Sequence, residues 1–144
     1  MDLDSYYEYV RQTGNLRTLH HAQRWSDGVL RTLGTALDGK TKRALAKALP
    51  DELATSVKDV FWLLHFRDPN LSRDEFLQQA ARRSGNSGIE FAAYPTLAVF
   101  SGIRRFTNAD LHRRVAESLA PELSDYWEQA GMLQSALDVA AEGQ

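Results

Sequence analysis

The chain has 144 residues, 43% hydrophobic and 25% charged, with a formal net charge of −2. That length suits one compact domain or two small fused ones with a real core, and the near-neutral charge gives no reason to expect nucleic acid or a membrane surface. With 9 Gly and 4 Pro the chain is not disordered, and with no Cys it has no disulfide, thiolate metal site or cysteine nucleophile.

The opening Met1-Asp2-Leu3-Asp4 is acidic and lacks the apolar stretch of a signal peptide. The longest apolar run, near Val60-Phe61-Trp62-Leu63-Leu64, is closed by His65 and Arg67, well short of the roughly 20 residues that span a bilayer. These features predict a cytoplasmic protein.

Apolar residues recur at helical spacing along nearly the whole chain. Tyr6, Tyr7 and Val10 predict a first helix, ended near Thr13-Gly14-Asn15. Leu19, Ala22, Ser26, Val29, Leu30, Leu33 and Leu37 predict a long second helix, with Asp38-Gly39 as its stop because glycine accepts a left-handed helix end. Leu45, Ala48 and Leu49 mark a third helix. Leu53, Val57, Val60, Phe61 and Leu64 mark a fourth, opened by Pro50. Asp68-Pro69-Asn70 reads as a linker. Ser72-Arg73-Asp74-Glu75 then reads as a capping box for a fifth helix through Phe76, Leu77, Ala80 and Ala81, ending near Ser84-Gly85. Ile89, Ala92, Thr96, Val99, Phe100 and Ile103 predict a sixth, which Pro95 either delays or kinks. Thr107-Asn108-Ala109-Asp110 resembles another capping box, ahead of Leu111, Val115 and Leu119. Pro121 opens an eighth helix with Leu123, Tyr126 and Trp127. Past Gly131, Leu133, Ala136, Leu137 and Ala140 predict a last, separate one.

The two halves repeat at an offset of 70 residues: Tyr6 with Phe76, Ala22 with Ala92, Val29 with Val99, Leu33 with Ile103, Leu45 with Val115, and Glu52-Leu53 with Glu122-Leu123. The expected fold is an all-α helical bundle of two tandem, related four-helix halves plus a C-terminal helix. Its parts are a first repeat over 1–67, a linker over 68–71, a second repeat over 72–131 and a tail over 132–144, packed as one body.

The stretch Leu45-Ala46-Lys47-Ala48-Leu49-Pro50-Asp51-Glu52-Leu53, together with Asp74-Glu75-Phe76-Leu77, Ala80 and Ser84-Gly85, resembles the recurring motifs of the domain of unknown function numbered 2267. The resemblance spans about residues 4–130 and implies a small bacterial helical protein, often duplicated. It carries no activity and no catalytic residues.

Gly34-Thr35-Ala36-Leu37-Asp38-Gly39-Lys40-Thr41 satisfies the phosphate-binding pattern GxxxxGK[ST] letter for letter. A working loop of that kind needs a buried strand before it, and here Val29, Leu30, Leu33, Ala36 and Leu37 continue at helical spacing. The string therefore reads as a helix end followed by a basic helix start. His20 and His21 are adjacent and diverge by about 100° on a helix, a poor chelating pair; His65 and His112 stand alone in sequence, and surface or helix-end positions account for all four. No metal, cofactor or catalytic set is expected. Acidic residues such as Asp51, Glu52 and Glu122 suit helix starts.

Basic residues cluster more suggestively. Arg17, Arg24 and Arg31 are seven apart and predict one helix face, joined by Lys40, Arg43, Arg104, Arg105, Arg113 and Arg114 as anion- or partner-binding candidates. Trp25, Tyr94, Trp62 and Trp127 lie near apolar stripes and are expected in the core. The leading functional expectation is a non-enzymatic interaction, adaptor or regulatory module that meets a protein partner or a second copy, with Leu133 and Leu137 as docking candidates. Nucleic-acid or polyanion binding through the arginine face is the alternative, and nucleotide binding at 34–41 a more distant one.

Overall fold

The computed structural model describes residues 1–58, 67–85 and 88–142, with side chains to residue 133. Among them are eight α-helices and no strand: α1 (Leu3–Thr13), α2 (Leu19–Ala36), α3 (Gly39–Ala48), α4 (Asp51–Lys58), α5 (Arg73–Arg83), α6 (Ala93–Arg104), α7 (Ala109–Ser118) and α8 (Pro121–Glu142). One turn of 3-10 helix, Ile89–Phe91, precedes α6. The all-α expectation holds.

Short polar side chains set the helix starts by accepting N–H groups that have no partner inside the helix. Asp2 accepts from Ser5 at 2.7 Å, Thr18 from His21 at 3.0 Å, Asp38 from Thr41 at 2.8 Å and Asn108 from Leu111 at 2.9 Å. Ser72 and Glu75 form the reciprocal capping box. At α7 the cap is Asn108, not Thr107, because the Thr107 hydroxyl turns back to the Ile103 and Arg104 carbonyls and to His112.

One helix start differs from the sequence reading, and another decides between its two alternatives. Gly39 is not a left-handed stop. α2 ends at Ala36, Leu37 is extended (φ −79°, ψ 148°), and Gly39 is the first residue of α3 behind its cap Asp38. α6 starts late, at Ala93, so Pro95 falls in its first turn, where no N–H is missed.

Local geometry recurs at the offset of 70. The caps Asp2 and Ser72 correspond, as do Asp38 and Asn108. The two residues with positive φ, Asn15 (56°) and Gly85 (84°), follow α1 and α5 at matching positions. Leu49 and Leu119 end α3 and α7 with almost the same backbone, ψ 154° and 153°.

The elements are not stacked half upon half. α5 packs most extensively on α2, and α1 packs on α6 as well as on α2, so each opening helix lies across the long helix of the other half. α2 also meets α6 directly, and α3 meets α7. One continuous core results, with Tyr6, Trp25, Phe76, Phe100 and Trp127 as its largest fully buried members among the described residues. The segment expected as a linker is tied into it. The Asp68 N–H donates to the Thr35 carbonyl at 2.7 Å, Arg67 donates to the Ser118 carbonyl at 2.9 Å, and Leu71 is buried.

The expected separate C-terminal helix is instead a continuation of α8, which runs unbroken through Gly131. That glycine permits close approach rather than a stop: a Cβ there would lie 2.5 Å from an Arg104 guanidinium nitrogen. Val60, Phe61, Trp62, Leu64 and His65, named for the fourth stripe and its end, lie outside the described residues.

Candidate functional site

The phosphate-loop string does not form a phosphate loop. Gly34 through Ala36 are the last turn of an α-helix, and no strand precedes them. A Cβ on Gly34 would collide with the Val57 carbonyl oxygen, so this glycine lets α2 and α4 touch. Thr41 is committed to the cap: its N–H and its hydroxyl both donate to the Asp38 carboxylate, at 2.8 and 2.9 Å. Asp38 also accepts from the Ser118 hydroxyl at 2.9 Å. The Thr41 N–H, then the two hydroxyls and the nearby Arg67 charge, hold the Asp38 carboxyl below its ordinary range.

The candidate cations turn toward several different neighbours. Arg17 precedes the cap of α2 and so is not part of the expected Arg17–Arg24–Arg31 helix face. Arg24 lies against Gly85 at the end of α5. Arg31 pairs with Asp27 at 2.9 Å, and Asp27 also accepts from Ser56 on α4. Arg105 lies over the Tyr9 ring at 4.5 Å and Arg113 pairs with Asp110 at 2.5 Å. Lys40 and Arg43 are exposed on α3. Arg114 lines shallow clefts between α3 and α7. Of the docking candidates, Leu133 is half-buried and the Leu137 side chain lies outside the described residues.

Arg104 edges a cleft between α7 and α8. Its guanidinium sits 4.9 Å from the Trp127 ring centre, in cation–π range, beside a cleft of about 480 Å³ that includes His112, Glu117 and Glu128. Seventy residues earlier the matching pair is Gly34 and Val57, where a Cβ on the glycine would meet the Val57 carbonyl oxygen. His112 Nε2 lies 2.6 Å from the Thr107 hydroxyl and 3.1 Å from the Arg104 carbonyl. Burial first, and then the Arg104 charge, lower the pKa of this imidazole.

Among the described residues the most exposed aromatic side chains lie elsewhere, where the α1–α2 turn faces the start of α6. Gly14, Asn15, Leu16, His21, Trp25, Glu90, Phe91, Tyr94 and Pro95 line a cleft of about 430 Å³. Backbone geometry makes it. The turn after α1 needs the left-handed Asn15, and Gly14 sits so close to α6 that a Cβ would be 3.3 Å from the Pro95 Cα. Trp25 is 1% exposed, whereas Phe91 and Tyr94 are 72% and 71% exposed. Ile89 and Leu19 are exposed apolar neighbours in the same segments. The Tyr126 hydroxyl donates to the Ala93 carbonyl at 2.7 Å, fixing the first turn of α6 to α8.

Tyr94 therefore corrects the expectation of a core position, while Trp25 and Trp127 meet it. The apolar face of α6 begins only with Pro95 and Thr96, and Tyr94 falls ahead of it. Phe91 had one signal in the sequence: it lies off the Ile89–Ala92–Thr96 stripe. Seating Phe91 and Tyr94 beside Trp25 and His21 required the tertiary contact of α1 with α6.

Among the described residues no helix is long and apolar enough to cross a membrane. The profile of a family described as an uncharacterized conserved protein, DUF2267, matches residues 3–126. No curated protein matches the chain.

Proposed function

The chain belongs to the DUF2267 family of uncharacterized conserved proteins, and from that premise we propose that it is a non-enzymatic interaction module whose Phe91–Tyr94 cleft seats an acidic, amphipathic helical segment of a protein partner. One observation carries the reading: two large aromatic side chains stand more than two-thirds exposed beside a cleft lined by buried Trp25. Exposed aromatics grouped at a concave site are the side chains that dominate interface energies when covered. Arg17, His20 and Arg24 are exposed in the adjoining turn and helix, against the single lining carboxylate Glu90. An apolar segment with acidic flanks matches that surface. The recurrence of caps and turns at 70 residues supports reading the body as two related halves, in which His21 and Arg24 stand where the second half has Phe91 and Tyr94. The absence of cysteine accords with a cytoplasmic setting.

A photo-crosslinking phenylalanine analogue at position 94, with one at exposed Gln78 on α5 as control, tests the reading in cells. One dominant protein adduct is expected at 94, weakened by salt, abolished by Phe91→Asp and absent at 78. Equal adducts at both positions, or none at 94, would reject it.

A further inference from the structure

The chain itself carries a segment of the chemistry the cleft selects. Residues 115–144 hold Glu117, Glu122, Asp125, Glu128, Asp138 and Glu142, and no Lys, Arg or His. Residues 16–47 hold seven Lys and Arg against Asp27 and Asp38. The charge is thus separated along the chain, and exposed Arg17 and Arg24 of the basic stretch adjoin the cleft-lining Leu16 and Trp25. At about 100° per residue, Leu133, Ala136, Leu137 and Ala140 fall on one side of α8, and Asp138 and Glu142 on the other. The stretch also lies beyond residue 126, where the family match ends.

We propose that the C-terminal stretch of α8, residues 132–142, docks into the Phe91–Tyr94 cleft of a second copy of this chain. The inference rests on the docking reading above and names its occupant. Geometry favours a second copy over the same one. α8 passes its Gly131 against Arg104, the last residue of α6, and continues as helix to Glu142. The cleft lies at the first turn of α6, about 16 Å away along that helix at 1.5 Å per residue. An unbroken helix leaving one end of α6 does not turn back to the other end. Between copies, the acidic stretch approaches Arg17, His20 and Arg24, and the leucine side covers Phe91 and Tyr94. The contact is heterologous, since one surface meets a different one.

The test is the mass of the full-length protein by sedimentation equilibrium across concentration and salt, with two variants. Phe91→Asp spoils the cleft and keeps the tail; Leu137→Asp spoils the tail and keeps the cleft. Wild type is expected to associate with concentration and to weaken as salt rises. Each variant alone should associate at least about tenfold more weakly, with unchanged helical circular dichroism. An equimolar mixture of the two should recover a 1:1 pair, which a general loss of folding would not produce. A wild type that stays monomeric, variants that associate like wild type, or a mixture that stays apart would each overturn the proposal. A monomeric chain whose residue 94 still crosslinks to a different protein would overturn this inference and leave the docking reading standing. Association that survives Phe91→Asp with no crosslink at 94 would remove both.

Discussion

The two glycines of the Gly34–Thr41 string should respond to alanine in opposite directions. In a phosphate loop each would be required by the backbone around the ligand. Here they occupy unrelated positions. An alanine Cβ at Gly34 would run into the Val57 carbonyl, and a backbone oxygen cannot swing aside as a side chain can. Relief requires α2 and α4 to separate, and a clash onto backbone lies in the upper part of the usual overpacking range, about 2–3 kcal/mol. Part of that is offset by the roughly 1 kcal/mol by which alanine favours a helix interior. The expected net effect of Gly34→Ala is a loss of about 1–2 kcal/mol, or about 3–7 °C in Tm for a domain of this size. Gly39 is exposed at the first position of α3, and its nearest neighbour is the mobile end of Arg43 at 3.4 Å. Gly39→Ala should therefore stabilise by about 0.5–1 kcal/mol, chiefly by restricting the unfolded chain. Urea unfolding followed by circular dichroism measures both. A Gly34→Ala protein as stable as wild type, or a Gly39→Ala protein less stable than Gly34→Ala, would refute the packing argument.

Four further outcomes follow from the same structure. Asp38→Ala should cost about 1–2 kcal/mol at neutral pH through loss of the α3 cap. Because the folded carboxyl titrates below its ordinary value, this stability is present above about pH 4 and is lost as pH falls through the folded value. The gap between wild type and variant should narrow in acid, and a gap that widens would contradict the assignment. Tyr6→Phe should cost about 1–2 kcal/mol, because the buried 2.6 Å contact between the Tyr6 and Ser26 hydroxyls is lost and Ser26 keeps no equivalent; denaturant midpoints check this. Burial pushes the Tyr126 phenol up to about 12, so the phenolate absorbance missing in Tyr126→Phe should appear only near that pH. Phe91→Ala should leave stability within about 0.5 kcal/mol, since the ring is mostly exposed, and a large drop in Tm would mean that the ring packs in the protein alone.

Much of the fold was legible because its signals are local. Apolar spacing located the helices, and Ser72 with Glu75 announced their capping box at the distance such a box requires. The stop after α1 and the stop after α5 were visible as Gly14-Asn15 and Ser84-Gly85, residues that tolerate the backbone of a reversal. Where local signals competed, the reading slipped. Asp38-Gly39 carries both a stop and a start, and the Asp38 carboxylate decided for the start by accepting two hydrogen bonds from Thr41. Gly131 looked like a break because an isolated glycine weakens a helix, and Arg104 packed on its face shows what the position is for.

The candidate site was far less legible. Arg17, Arg24 and Arg31 share a spacing but not a surface, because the helix begins at Leu19, Arg24 lies against Gly85 of a remote segment, and Arg31 pairs with Asp27 one turn away. Tyr94 sat near an apolar stripe, yet only the placement of α1 against α6 determined which rings were covered and which stayed in water.

By itself, then, the amino-acid sequence indicated most of the helices, the Ser72–Glu75 capping box and the family. These rest on contacts within a turn or two of chain, or on patterns compared position by position. The tertiary structure alone decided that the opening helices cross between halves into one core, that Gly34 is a packing contact, and that Phe91 and Tyr94 edge an open cleft. Burial and exposure are properties of surfaces brought together from distant residues, and helical periodicity says which side of a helix is apolar but not what comes to cover it.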